Sequence, residues 1–151
     1  MASVRVTVNI AAPPERAWQA VADVEDWPRW TTSMGDVKRL DEGPLRVGSR
    51  ARIKQPGLPV SVWEVTDLDE GTSFTWVTRT PGVVAWAGHE LVATADGSRL
   101  TLSLTWTGVF GGLVGALMGR RTRKSIMRDA EGHKACAEGL RPTPQRARGG
   151  G

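Results

Sequence analysis

The sequence predicts an α+β fold in which a curved antiparallel sheet of seven strands wraps around a long C-terminal helix, with two short helices after the first strand. Polar and apolar residues alternate in short stretches separated by glycine-containing turns, which is typical of strands joined in a meander. Between residues 109 and 140 proline is absent and apolar residues recur every three or four positions, which indicates a helix. Because sheet and helix each have one apolar face, packing the helix across the concave face buries both and leaves a space beneath it.

The first strand is predicted at residues 4–10, where valine or isoleucine alternates with a polar residue. The paired prolines that follow end this strand and suit the first turn of a helix running to about Val24. The segment Asp26-Trp27-Pro28 interrupts that helix, and a short second helix or turn is expected at residues 29–32.

Six more strands are predicted, each closed by a turn except the last. They cover residues 37–41, 49–55, 60–67, 72–79, 84–94 and 98–107. The final strand alternates most clearly, with Leu100, Leu102 and Leu104 on one face and hydroxyl residues on the other. Because successive side chains in a strand point to opposite faces, this parity assigns the leucines to the interior.

The long helix carries one apolar stripe that ends only near its C-terminus. Its members are Val114, Met118, Thr122, Ile126, Ala130, His133 and Ala137, widened by Leu113, Leu117 and Met127. Two prolines shortly after residue 140 end the predicted structure. We therefore expect a single domain at residues 1–140 and a disordered basic tail at residues 141–151.

Composition narrows the function classes. The chain has 151 residues, 40% of them hydrophobic, which suffices for one domain with a real core. Its single cysteine, Cys136, allows no internal disulfide. The N-terminal residues lack the pattern of a secretory signal, and the longest apolar run, residues 109–118, is too short to span a bilayer. A cytoplasmic location is expected.

The formal net charge of +4 is concentrated locally, so it argues only weakly for nucleic acid, and no nucleic-acid partner is expected. The basic cluster of the long helix comprises Arg120, Arg121, Arg123, Lys124 and Arg128. It follows an apolar run, so contact with anionic lipid headgroups is one interpretation and a solvated helix face is the other. A monomer and a homodimer are both compatible with the sequence.

Motifs for several chemistries are absent. The sequence has no nucleophile elbow, no phosphate-binding glycine loop and no cysteine–histidine set with metal-ligand spacing. Gly43 and Gly48 do not form a dinucleotide fingerprint. No cofactor and no metal are expected.

Several segments, in order and spacing, carry a resemblance to a known superfamily. They are Ala12-Pro13-Pro14-Glu15-Arg16-Ala17-Trp18, Ala22-Asp23-Val24-Glu25-Asp26-Trp27-Pro28-Arg29-Trp30, Leu45-Arg46-Val47-Gly48-Ser49, Trp63-Glu64-Val65 before Asp69-Glu70-Gly71, and Gly97-Ser98-Arg99-Leu100-Thr101. Over residues 3–140 the chain resembles the START/Bet v1-like (SRPBCC) helix-grip superfamily, in particular its polyketide cyclase/dehydrase and lipid-transfer members. The resemblance implies the helix-grip fold and an internal cavity.

The resemblance also implies where the cavity opens, between the end of the long helix and alternate loops of the sheet. In this sequence the mouth would be formed by residues 30–36, 56–59, 81–83 and 108–110. Apolar residues at these loops either gate ligand entry or simply close the end of the sheet. With the interior faces of the strands, they define the candidate ligand-binding residues: Trp30, Met34, Leu58, Trp63, Trp76, Val83, His89, Leu102, Leu104, Trp106, Phe110, Val114, Leu117 and Met118.

His89 is the first candidate for catalysis, because it lies mid-strand among apolar neighbours and an ordinary histidine side chain can move a proton near neutral pH. A buried histidine satisfied by hydrogen bonds is the alternative, and His133 fits a helix-packing role better. Glu64, Arg52 and Arg79 are further polar candidates, although strand parity turns both arginines outward.

Three functions remain open from the sequence. The first is binding or transfer of a small hydrophobic ligand, such as a lipid, polyketide or aromatic metabolite. The second is a polyketide cyclase or dehydrase acting in the same cavity. The third is a protein-interaction module whose cavity has collapsed. The repeated G-x-x-x-G at Gly111, Gly115 and Gly119 fits either a close backbone approach or local softness at the cavity mouth.

Overall fold

The computed structural model describes residues 2–139, so the predicted tail at 141–151 lies outside the described residues. In chain order the elements are β1 Ala2–Ile10, α1 Pro14–Ala22, a 3₁₀ helix Val24–Arg29, β2 Asp36–Arg39, β3 Arg50–Lys54, β4 Ser61–Asp69, β5 Ser73–Thr80, β6 Val83–Thr94, β7 Gly97–Thr107 and α2 Gly111–Ala137. The predicted α+β class, with seven strands, two short helices after β1 and a long C-terminal helix, is confirmed.

All strands belong to one antiparallel sheet in the order β1-β7-β6-β5-β4-β3-β2. Strands β2 to β7 form the expected meander, and β1 joins it by pairing with the last strand. Val6 lies opposite Leu102, and both are buried on the face that the helices cover. Leu100 is fully buried on the same strand, so the parity assigned from the sequence is confirmed.

A β-bulge bends the sheet between β4 and β5. The pairing register shifts between Val65, which faces Trp76, and Asp67, which faces Thr75. A bulge inserts one unpaired residue and increases local twist, so it helps the sheet to curve around its contents.

The second short helix begins earlier than the sequence suggested. It is a 3₁₀ helix at Val24–Arg29 rather than a helix or turn at residues 29–32, and Pro28 lies inside it. Trp27 anchors this helix, because its ring is buried and its Nε1 donates a hydrogen bond of 3.1 Å to the carbonyl oxygen of Val21. The first helix ends at Ala22, two residues before the end that the sequence predicts. Burial of the Trp27 ring favours the 3₁₀ helix over a longer first helix.

Helix α2 is buried mainly in its second half, where Ala130, His133 and Ala137 are each no more than 1% exposed. Near its start, Leu113 and Leu117 are 58% and 75% exposed. The expectation that these two leucines widen the buried stripe is therefore wrong.

The glycines of the first two turns explain the rotation of α2 about its axis. A Cβ at Gly111 would lie 2.9 Å from the carbonyl oxygen of Trp106, and one at Gly115 would overlap the methyl group of Ala2. The glycine side of the helix thus packs directly on β1 and β7, which supports the close-approach interpretation of the motif. Because Leu113 and Leu117 lie on the opposite side of the helix, they point to solvent.

Candidate ligand-binding site

A cavity of about 610 Å³ lies between the concave face of the sheet and helix α2. In the middle of β6 and toward the end of β7, alternate residues line its wall, as the two faces of a strand lead one to expect. The sheet residues that line the cavity are Ile53, Ser61, Trp63, Thr78, Ala85, Ala87, His89, Leu102, Leu104 and Trp106, with Ser103 contributing from β7. The helix contributes Met118, Thr122, Ser125, Ile126, Asp129 and His133. Most of this surface is hydrocarbon or aromatic.

The mouth of the cavity lies between the β3–β4 turn and the middle of α2. Its lining residues there are exposed, namely Pro56, Pro59, Arg121, Lys124 and Arg128. A Cβ at Gly57 would lie only 2.9 Å from Nη2 of Arg121, so this guanidinium lies against the turn. We call the three basic residues the cationic rim.

The structure brings eight of the fourteen sequence-derived candidates to this cavity. They are Met34, Leu58, Trp63, His89, Leu102, Leu104, Trp106 and Met118. Residues 32–34 and the β3–β4 turn contribute as expected from the resemblance, whereas residues 81–83 and 108–110 do not. These contributions place the mouth beside the β3–β4 turn.

Two of the six remaining candidates lie behind the cavity wall. Trp76 is buried beneath Trp27 and Trp63, whose ring centroids lie 5.4 and 6.0 Å from its own. Trp30 lies outside the cavity lining, and its Nε1 donates a 3.1 Å hydrogen bond to Nδ1 of His133. These indoles support lining residues rather than forming the surface.

The other four candidates lie near the start of α2 or the turn beside it. Phe110 packs over the β5–β6 turn, where a Cβ at Gly82 would overlap its ring. Neither Val83 nor Val114 contributes to the cavity lining. Leu117 points to solvent because the opposite side of α2, which carries the glycines, packs against the sheet. The positions of Phe110, Val114 and Leu117 depend on how α2 is rotated, which residue spacing alone does not reveal.

A buried carboxyl group at one end of the cavity was missed by sequence reasoning. Asp129 is 6% exposed and accepts hydrogen bonds at Oδ1 from the hydroxyl groups of Thr31, at 3.0 Å, and Ser33. Burial raises the pKa of this carboxyl from 3.8 to about 6, although both hydroxyls and the charge of Arg128 oppose the rise. The sequence signal that could have found it is the position of Asp129, an acid three residues after Ile126 on the apolar side of the long helix.

The two histidines of the cavity wall are neutral at physiological pH, because burial lowers the pKa of His89 to about 4 and that of His133 to about 3. Nδ1 of His89 lies 3.2 Å from the carbonyl oxygen of Phe74, which can only accept, so Nδ1 carries the proton and Nε2 is an acceptor. Nδ1 of His133 accepts from Trp30, so its Nε2 carries the proton and is a donor.

Stacking fixes the His89 ring, whose centroid lies 4.0 Å from that of Phe74 with 9° between the planes. The ring of Trp27 contacts both histidines, at centroid distances of 5.6 and 5.2 Å. The arrangement offers a ligand one neutral acceptor, one neutral donor and one titrating carboxyl at the polar end of an apolar cavity.

The other polar candidates lie away from the cavity. Arg52 and Arg79 are exposed, as strand parity indicated, and Glu64 is exposed as well, 4.0 Å from Nε of Arg50. Within residues 2–139, no group of three histidine, cysteine, aspartate or glutamate side chains is placed to hold a metal ion. In the same part of the chain, no helix is long and apolar enough to cross a membrane.

Comparison with known proteins agrees with this geometry. Residues 1–138 match the model of the family described as polyketide cyclase / dehydrase and lipid transport. An uncharacterised protein of Mycobacterium tuberculosis is 29% identical over 108 residues, which cover 68% of this chain and 62% of that protein. The chain thus spans less than two thirds of the length of this relative.

Two solved structures share the fold at low sequence identity. The di-domain ARO/CYC protein BexL from the BE-7585A biosynthetic pathway has a TM-score of 0.70 and 19% identity, with 91% of this chain and 47% of that chain covered. Ara h 8.0201 also has a TM-score of 0.70, with 12% identity and coverage of 89% and 96%. At these identities the likeness shows the fold.

The fold and the enclosed cavity define a helix-grip protein of the START/Bet v1-like superfamily. Within that superfamily the chain belongs to the polyketide cyclase / dehydrase and lipid transport family. Membership supports, in general terms, either binding of a hydrophobic ligand or a cyclase role.

Proposed function

We propose that this protein binds a small hydrophobic molecule in the cavity beneath α2. The observation that carries the proposal is the cavity itself, whose volume of about 610 Å³ falls within the range typical of small-molecule sites. Its apolar walls and few polar groups suit a ligand with a long or multi-ring hydrocarbon body. An open interior of this size argues against a module that acts only through its surface.

The cationic rim indicates which end of the ligand lies at the mouth. Arg121, Lys124 and Arg128 form no salt bridge with any carboxylate in residues 2–139, and Asp129 is the only acid in the cavity lining. A row at positions i, i+3 and i+7 faces one side of a helix. We infer that the ligand is amphipathic, with an apolar body inside and an acidic group at the rim.

Replacing Arg121 and Arg128 together by glutamine should weaken binding of a long-chain carboxylic acid about tenfold, since hydrogen bonds to charged groups are the stronger ones. Binding of the alcohol of equal chain length should stay unchanged. Isothermal titration calorimetry with both ligands measures the difference. The matched control replaces Arg5 and Arg99, two exposed arginines outside the cavity lining, by glutamine. If the double variant loses the same affinity for the acid and for the alcohol, the rim does not bind the acidic group.

The direct test of the proposed function is native mass spectrometry of freshly purified protein, followed by organic extraction. We expect a reproducible adduct that is released by solvent and carries an acidic group. A clean mass of the free chain, with no change in tryptophan fluorescence on adding fatty acids or aromatic polyketides, would reject ligand binding.

A cyclase or dehydrase is the second candidate, and the presence of Asp129, His89 and His133 in the lining of one cavity favours it. Enolisation of a carbonyl compound needs a proton acceptor and a donor at the same substrate, and a carboxyl with a pKa of about 6 exchanges protons near neutral pH. Asp129→Asn keeps the shape of the side chain and removes its titration. A cyclase would lose turnover with this variant while ligand affinity is retained, whereas a binding protein has no turnover to lose.

A further inference from the structure

Among residues 2–139, the start of helix α2 carries an exposed apolar surface. Val109, Phe110, Leu113 and Leu117 are 88%, 55%, 58% and 75% exposed, and we call these four residues the apolar ridge. Phe110, Leu113 and Leu117 are spaced by three and four residues, so they share one side of the helix. The ridge is outside the lining of the ligand cavity, which leaves its exposure unexplained by ligand binding.

The fold holds the ridge outward. Turning the helix so that the leucines faced the sheet would move Gly111 and Gly115 away from Trp106 and Ala2, where only a glycine fits. The exposure therefore follows from a tight backbone contact on the opposite side, not from a loose helix.

Positive charge follows the ridge directly. The basic cluster of α2 begins three residues after Leu117, and its members are exposed. The sequence contains no acidic residue between Asp96 and Asp129. Arg120 and Arg123 form no salt bridge within residues 2–139 and lie outside the cavity lining, so neither has a role in the ligand site.

We propose that the apolar ridge and the basic cluster form a docking surface for an anionic lipid bilayer. An amphipathic helix binds such a surface by inserting apolar side chains among the acyl chains while its cations contact the headgroups. Met118 and Arg121 line the cavity one turn away, so docking places the mouth close to the bilayer.

Co-sedimentation with vesicles tests this proposal on the full chain. Wild-type protein should bind vesicles of phosphatidylcholine with one third phosphatidylglycerol, and bind phosphatidylcholine alone at least about tenfold more weakly. Leu113→Ser with Leu117→Ser should reduce binding about tenfold, since buried apolar area supplies much of the affinity. Arg120→Gln with Arg123→Gln should remove most of the difference in binding between vesicles with and without phosphatidylglycerol. Added salt should also reduce that difference, because it screens the charges.

The matched control is Val47→Ser with Val92→Ser, which removes apolar side chains that are 60% and 51% exposed away from α2. It should bind vesicles like the wild type, and circular dichroism melts should be alike for all variants. Equal binding to both vesicle compositions, or undiminished binding by the leucine variant, would overturn the proposal. So would a dimer that the leucine variant abolishes, because the ridge would then be a contact between two copies. Ligand binding in solution is measured separately, so failure here leaves the proposed function unaffected.

Discussion

We expect Ala87→Trp to weaken ligand binding about 100-fold, since an indole must occupy space that the ligand uses and overpacking is costly. Ala87 lies on β6, an interior strand of the sheet, between Trp76 of β5 and Leu104 of β7, and its side chain lines the cavity. The added ring projects into the cavity rather than into packed core, so the folded state has room for it. Tryptophan-independent titration, by calorimetry or native mass spectrometry, gives the change in dissociation constant.

Val92→Trp is the matched control for this variant. It introduces the same ring on the same strand, at a position that is 51% exposed and outside the cavity lining. Both variants should melt within a few degrees of the wild type, and only Ala87→Trp should lose affinity. If the two variants bind equally well, the ligand does not occupy the cavity described above.

The second large effect concerns stability and its dependence on pH. Asp129→Asn should stabilise the protein by about 3 kcal/mol at pH 7 and should leave stability nearly unchanged near pH 4. The pKa of the carboxyl rises from 3.8 to about 6 on folding, so between these values the folded state holds a proton that the unfolded state has lost. Stability therefore falls as pH rises through this window, and a neutral amide removes that loss.

The two histidines act in the opposite direction. Their pKa values fall on folding from 6.5 to about 4 for His89 and about 3 for His133, so below pH 6.5 only the unfolded state takes up protons. Their contribution to stability is complete above pH 6.5 and is lost as pH falls toward 4. As pH falls from 6 to 4, the two histidines lower the free energy of unfolding and the one carboxyl raises it. The net result is a loss of roughly 1 kcal/mol of stability per pH unit.

Urea unfolding of wild type and Asp129→Asn between pH 4 and 7 measures both effects. The variant should lose stability about twice as steeply on acidification, because the opposing carboxyl is gone and two histidines remain. Parallel curves for the two proteins would show that the Asp129 carboxyl does not titrate as described. If Asp129→Asn is more stable than the wild type at pH 7, the wild type keeps the ionising carboxyl of Asp129 at a cost in stability, as functional sites commonly do.

The local pattern determined most of the fold. Alternation in the last strand placed Leu100, Leu102 and Leu104 on the interior face. A strand has only two faces, and leucine side chains are more stable on the face that is shielded from water. Glycine turns separated the strands at the correct places. At Gly57 and Gly82 the backbone adopts φ of 77° and 81°, which other residues rarely do, so turn positions are readable from composition.

The candidate site was predictable only where it lies on these strands. Leu102, Leu104, Trp106 and His89 line the cavity because their parity is set by neighbours two residues away. Asp129 escaped notice because its partners, Thr31 and Ser33, are almost a hundred residues distant in sequence, and no local pattern records such a contact.

The sequence by itself determined the order of the elements, the interior faces of the strands and the apolar and basic segments of the last helix. Tertiary structure alone decided the rotation of α2, and with it which residues face the cavity and which face water. Leu117 and Met118 are adjacent and similarly apolar, yet one is 75% exposed and the other lines the cavity. The physical reason is the close packing of Gly115 against the methyl group of Ala2, which brings α2 against β1 and fixes the helix about its axis.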